Sequence, residues 1–129
     1  MNCIRIVEIL ATPEELFRAS AEEFVRIGRA AIAERGRFSV ALSGGSTPRT
    51  LYSLLAQGHA NFDWKRTSLF FGDERHVPPD HAESNYRMVK EALLSKIAIP
   101  AGNIYRVKAE NPDADAAAAE YETALRTFF

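Results

Sequence analysis

The sequence predicts an α/β fold: a mainly parallel sheet with helices on both of its faces. Short apolar runs rich in β-type residues recur at Ile4–Leu10, Phe38–Leu42, Thr67–Phe71 and Ile104–Val107. Between them lie stretches whose apolar residues repeat at helical spacing. Glycine- or proline-bearing turns separate the two kinds of segment.

The elements follow in order. Ile4–Leu10 reads as a first strand. Thr12-Pro13-Glu14-Glu15 then announces a helix, with Thr12 as cap, Pro13 at the first helical position and Glu15 completing a capping box. Leu16, Phe17, Phe24, Ile27, Ala31 and Ile32 form its apolar stripe until Gly36 ends it. Phe38–Leu42 is a buried-type strand. The turn Ser43-Gly44-Gly45-Ser46-Thr47-Pro48 leads into a helix over Arg49–Ala56, with Thr47 as its expected cap and Gly58 near its end. Thr67–Phe71 is the next strand, followed by a polar loop to Glu83. Ser84 caps a helix carrying Tyr86, Met88, Val89, Ala92 and Leu93. Ile104–Val107 is the last strand, and the Ala- and Glu-rich stretch from Asp113 to Phe129 is helical.

Composition bounds the function. The chain has 129 residues, 47% of them apolar and 26% charged, enough for one domain with a core. Sixteen basic residues against 17 acidic ones leave a formal net charge of −1, without the basic excess of a nucleic-acid binder. No dense basic run marks a membrane patch, and no apolar stretch is long enough to span one. The single Cys3 forms no internal disulfide and fits a reducing compartment, and Met1–Arg5 lacks a secretory pattern. A cytoplasmic protein is expected.

Two loops carry the chemistry. In Ser43-Gly44-Gly45-Ser46-Thr47-Pro48 the glycines let backbone approach a ligand, and Ser46 and Thr47 add hydroxyls. The open N–H groups and positive dipole end of the following helix favour an anion such as phosphate, although a tight strand-to-helix turn alone would also need glycine. There is no Walker lysine and no dinucleotide fingerprint, so a monophosphate ester is the better fit. The second loop, Gly72-Asp73-Glu74-Arg75-His76-Val77-Pro78, follows the next strand. In a parallel sheet both loops emerge at the carboxyl edge, where open α/β folds bind ligands. Solvated local ion pairs would be the plain reading of its charges, but Gly72 before them and Pro78-Pro79 after them suggest a shaped loop and favour a site. His76, His81 and Asp80 make no metal-ligand pattern, so no metal is expected. Neither Ser43 nor Ser46 sits in a nucleophile elbow. His59 and His81 are expected to face solvent, and Trp64 to lie in the core or at its rim.

Taken with Asp80-His81-Ala82-Glu83-Ser84-Asn85-Tyr86-Arg87-Met88, these motifs resemble the 6-phosphogluconolactonase family in order and spacing along essentially the whole chain. The resemblance implies a Rossmann-like sheet of the sugar-phosphate isomerase type. It also implies hydrolysis of 6-phospho-D-glucono-1,5-lactone to 6-phosphogluconate in the pentose phosphate pathway, with no cofactor. The related glucosamine-6-phosphate deaminases usually have tyrosine where Arg75 stands, so Arg75 favours the lactonase.

The resemblance implies Asp73 and Arg75 as catalytic residues. Ser43, Gly44, Gly45, Ser46, Thr47 and Arg75 are the implied substrate-binding set. Glu74 is expected to be structural and to pair with Arg75. Asn85, Tyr86 and Arg87 are expected to buttress the second loop, with Arg87 adding positive potential.

Such lactonases continue through a segment of the form Gly-x-Gly-x-Asp-Gly-His-Thr-Ala-Ser, whose histidine is the candidate general base. Nothing like it occurs among His59, His76 and His81. Residues 1–129 therefore resemble the amino-terminal part of a longer, here incomplete, lactonase-type domain, inactive or impaired alone. Self-association through surface left bare is expected. The aromatic end Phe128-Phe129 is equally compatible with a docked terminal helix. A deaminase and a non-catalytic sugar-phosphate-binding module are the rival readings.

Overall fold

The computed structural model describes residues 4–129, so Met1–Cys3, including the lone cysteine and the start read for targeting, lie outside the described residues. Helix α1 spans Pro13–Arg35, β1 Phe38–Leu42, α2 Ser46–Gly58, β2 Thr67–Phe71, α3 Asn85–Ala92, β3 Ile104–Tyr105 and α4 Ala114–Phe128. The strands form one parallel sheet in the order β1-β2-β3.

The α1 signals act as expected, except that Glu15 reaches back to Ala11 N rather than to the Thr12 N of a capping box. Thr12 Oγ1 accepts from Glu15 N, the Glu15 carboxylate accepts from Ala11 N, and Gly36 ends the helix at φ 74°. Of the expected stripe, Ala31 is buried and Phe24 and Ile32 pack against the core, but Leu16 and Ile27 turn to solvent and the fully buried line runs through Ala21, Val25, Gly28 and Ala31. Gly28 belongs there because a Cβ would stand 2.5 Å from the Phe62 ring. At that point the helix packs directly on Phe38 and Phe62.

The pleat divides the sheet into two faces. Phe38, Val40 and Leu42 share one face with Leu69 and Phe71, packed with Trp64, Leu55, Val89 and Leu93 in the main core. Trp64 is 1% exposed, so it belongs to that core. On the other face Phe70 stacks on Tyr105 at 4.6 Å and meets Phe128 of α4 at 4.9 Å. Helices thus cover both faces, as the sequence predicts.

Two expectations are corrected. Residues 4–10 form no strand, and Ile4, Ile6, Val7 and Ile9 are 82–90% exposed. Apolar β-branched residues suit a sheet but form a strand only beside a partner, and none of the described residues pairs with them. The last strand is also shorter than expected, ending at Tyr105, because only Ile104 and Tyr105 find ladder partners on β2.

Candidate active site

The sheet register sets the two loops side by side. Leu42 and Phe71 are Cα partners at the ends of β1 and β2, and Gly72 N donates to Leu42 O at 2.9 Å. Each exit is tied by a tyrosine the sequence reading missed. The Tyr52 hydroxyl, from α2, accepts from Ser43 N at 2.9 Å and donates to Ser43 O at 2.8 Å. The Tyr121 hydroxyl, from α4, does the same for Phe71 N and O, both at 2.8 Å.

Burial pushes both phenols above their ordinary pKa, outweighing the opposing effect of their backbone hydrogen bonds. A raised folded-state pKa means that the folded chain holds these protons longer than the unfolded chain. Their stabilisation is therefore complete below about pH 10, where the unfolded phenols titrate, and is lost as pH rises through the folded values. Alkaline unfolding followed by circular dichroism should become less steep in Tyr52→Phe and Tyr121→Phe. Each should also be less stable at neutral pH by about 1–3 kcal/mol, from the backbone groups left unpaired.

The glycine turn differs from the expected form in its cap. Gly45, at φ 105°, is the N-cap of α2, and the helix begins at Ser46 rather than after Thr47. A left-handed φ, open to glycine, lets the chain turn into the helix earlier than the Thr-Pro signal suggests. The other three α-helices are capped by Thr12, Ser84 and Asp113, whereas α2 has no side-chain cap. Its first-turn N–H groups are thus presented to the edge without a side-chain acceptor, a ready site for an anion.

In the second loop Glu74 is structural, but not through an ion pair with Arg75. Its Oε1 accepts from Arg75 N and Asn85 N, both at 2.7 Å, and its Oε2 from Tyr86 N at 2.9 Å and Ser84 Oγ at 3.2 Å. The carboxylate sits on the positive end of α3 and folds the loop back onto it. The Arg75 guanidinium has no ion-pair partner among the described residues. Asp73 is exposed, and Asn85 Nδ2 donates to its O and Oδ1, both at 3.2 Å. His76 Nε2 is 2.8 Å from Asn111 O, a hydrogen-bonding role. His81 is exposed and His59 half-buried.

Gly45, Ser46 and Arg75 line one open cleft of about 550 Å³, together with Arg49, Arg87 and Glu91. That volume lies in the range of small-molecule sites. Ser43 and Thr47 face a different groove, beside Leu16 and Leu51. Gly44 lies against Asn85, and Asp73 stands beside the cleft without lining it.

Arg87 does reach the cleft, but its Nε donates to Glu91 Oε1 at 2.8 Å and its Nη1 to Asp80 O at 3.0 Å. That hydrogen bond raises the Arg87 pKa and lowers that of Glu91, so much of its charge is answered locally. Arg49, one turn into α2, is a cation the sequence reading missed. Its position just after the glycine turn is the signal that could have found it.

An open parallel α/β sheet, with a helix start that has no side-chain cap and with Arg49 and Arg75 lacking ion-pair partners among the described residues, offers at its carboxyl edge the chemistry that suits a small anion. Residues 11–129 match the family described as glucosamine-6-phosphate isomerases/6-phosphogluconolactonase. The chain belongs to that family.

It is 40% identical over 125 residues to a 6-phosphogluconolactonase of a Nostoc species, covering 97% of this chain and 51% of that protein. It is 42% identical over 119 residues to a probable chloroplastic 6-phosphogluconolactonase of rice, covering 92% of this chain and 36% of that one. The solved 6-phosphogluconolactonase of Thermotoga maritima superposes with a TM-score of 0.81 at 33% identity, covering 88% of this chain and 50% of that one. The chain thus spans about half the length, or less, of the relatives it matches.

Proposed function

We propose that this chain carries the phosphate-holding half of a 6-phosphogluconolactonase, which hydrolyses 6-phospho-D-glucono-1,5-lactone to 6-phosphogluconate. The observation that carries this reading is the shared cleft, in which Gly45 and Ser46 at the uncapped start of α2 face Arg75 from the neighbouring loop. The dianionic phosphate binds the N–H groups and hydroxyl at that helix start, with Arg75 and Arg49 as its counter-charges. Thr47 contributes its N–H, and the Ser43–Gly44 backbone shapes the approach.

Phosphate capture fixes the ring so that its carbonyl lies toward Asp73. Water adds to that carbonyl carbon and gives up a proton. The ring C–O bond of the tetrahedral intermediate then breaks, and the departing oxygen takes a proton. Asp73 orients the attacking water. Complete proton transfer needs residues outside these 129, so the chain alone binds product and hydrolyses little.

Calorimetric titration with 6-phosphogluconate, beside a lactone hydrolysis assay, tests the reading. Product binding with weak or no hydrolysis is expected. Absence of binding to both 6-phosphogluconate and inorganic phosphate would overturn it, as would ammonia release from glucosamine 6-phosphate, the deaminase outcome.

No described helix is long and apolar enough to cross a membrane. We assign the protein to the cytoplasm, which fractionation of its source cells tests, and recovery in a plastid would contradict that. The exposed Ile4, Ile6, Val7 and Ile9, with the open outer edge of β1, favour self-association. Sedimentation should show mass rising with concentration, and a monomer throughout would refute it.

A further inference from the structure

We propose that Asn85 is a positioning residue that latches the glycine turn to the acidic loop, so that the phosphate end and the carbonyl end of the cleft move as one unit. Its main chain is fixed, because Asn85 N donates to Glu74 Oε1 at 2.7 Å at the first position of α3. The residue is 8% exposed, and its side chain lies between the two loops. On one side Nδ2 donates to both Asp73 O and Asp73 Oδ1, holding the main chain and the carboxylate of that residue together. On the other side it occupies the space a side chain at position 44 would need. A Cβ on Gly44 would stand 2.0 Å from Asn85 Oδ1, 2.4 Å from Cγ and 2.7 Å from Nδ2.

Gly44 is not in a left-handed conformation, so its lack of a side chain answers this contact rather than a backbone demand. One amide therefore touches both loops. Any retreat of the glycine turn frees the amide to leave Asp73, and any swing of Asp73 lets the amide press on Gly44. Packed groups of this kind transmit sub-ångström shifts because the interior has little free volume. Misplacement of a reacting group by about 1 Å can cost about a hundredfold in rate.

The role of the latch in catalysis rests on the lactonase reading, whereas the latch itself does not. A double-mutant cycle on Gly44→Ala and Asn85→Ala, in the 129-residue chain, separates the two. Each single variant should lower the unfolding midpoint and weaken 6-phosphogluconate binding about tenfold. The double variant should be no worse than Asn85→Ala alone, because truncating Asn85 makes room for the new Cβ. Independent loops would instead give losses that multiply, and that result overturns the proposal.

A spectroscopic arm excludes a merely structural effect. The Asn85 side-chain amide cross-peak should move to the same solvated position in Asp73→Ala and in Gly44→Ala. An amide unmoved by Gly44→Ala would also overturn the latch. If the unaltered chain binds no 6-phosphogluconate, the lactonase reading fails, while the thermal cycle and the amide cross-peak still decide the latch.

Discussion

Replacing Gly45 with valine should abolish measurable binding of 6-phosphogluconate while leaving the chain folded. Gly45 holds φ 105°, and the nearest atom a Cβ would meet is Pro48 Cδ at 3.9 Å. There is room for a side chain, so the penalty is conformational. A β-branched residue in that region costs about 1–3 kcal/mol. The turn escapes this cost by moving Gly45 toward negative φ, which re-aims the first N–H groups of α2 away from the cleft. Stability therefore falls modestly, and the anion site is lost. Gly45→Ala should act in the same direction with a smaller effect. Calorimetry with 6-phosphogluconate beside thermal unfolding checks this. Unchanged affinity in Gly45→Val would mean that the helix start does not hold the ligand.

The second large effect is expected at Arg75. Arg75 lines the cleft and has no ion-pair partner among the described residues, and its loop is anchored through the Glu74 carboxylate rather than through its own side chain. Arg75→Ala should therefore leave stability nearly unchanged. It should weaken binding of 6-phosphogluconate and of inorganic phosphate tenfold or more, about the worth of a charge-assisted hydrogen bond. Arg75→Lys keeps the charge but loses the planar fork, and should recover only part of that loss. An affinity loss for 6-phosphogluconate without one for inorganic phosphate would move Arg75 from the phosphate to the carboxylate end of the ligand. Glu74→Gln offers the contrast. It weakens the charge on the N-terminus of α3 and should cost stability, because Glu74 accepts four hydrogen bonds that shape the loop.

Much of this arrangement is readable in the sequence, and the exceptions have physical causes. The bounds of β1 and β2 follow directly from short apolar runs that end just before a glycine-bearing turn. Ile4–Leu10 carries the same pattern and is not a strand. Alternation and β-branching report what a segment would bury, not whether a neighbouring strand exists to pair with it. The start of α2 departs from the Thr47-Pro48 cap signal because the stronger constraint, a positive φ at Gly45, depends on how the turn leaves the sheet.

At the site, Gly45 and Ser46 are legible in the glycine turn and Arg75 only through the family resemblance, and the three share one cleft. Asn85 buttresses the second loop as the sequence suggests, by donating to Glu74 and Asp73, whereas Tyr52 and Tyr121 are out of reach because their partners lie 9 and 50 residues away. A one-dimensional pattern does not encode which backbone carbonyl a distant phenol will meet. Glu74 is structural through main-chain N–H groups, those of Asn85 and Tyr86 in α3 and of Arg75 itself, rather than through the Arg75 guanidinium that adjacency in sequence suggests.

The most direct test of the shared cleft is a proton–nitrogen correlation spectrum of the chain titrated with 6-phosphogluconate. The backbone amides of Gly45, Ser46 and Thr47 and the Arg75 side-chain Nε–H should shift together along one binding isotherm, and inorganic phosphate should compete for the same set. Shifts confined to one of the two loops, or clustered away from both, would contradict a single ligand held between the start of α2 and Arg75.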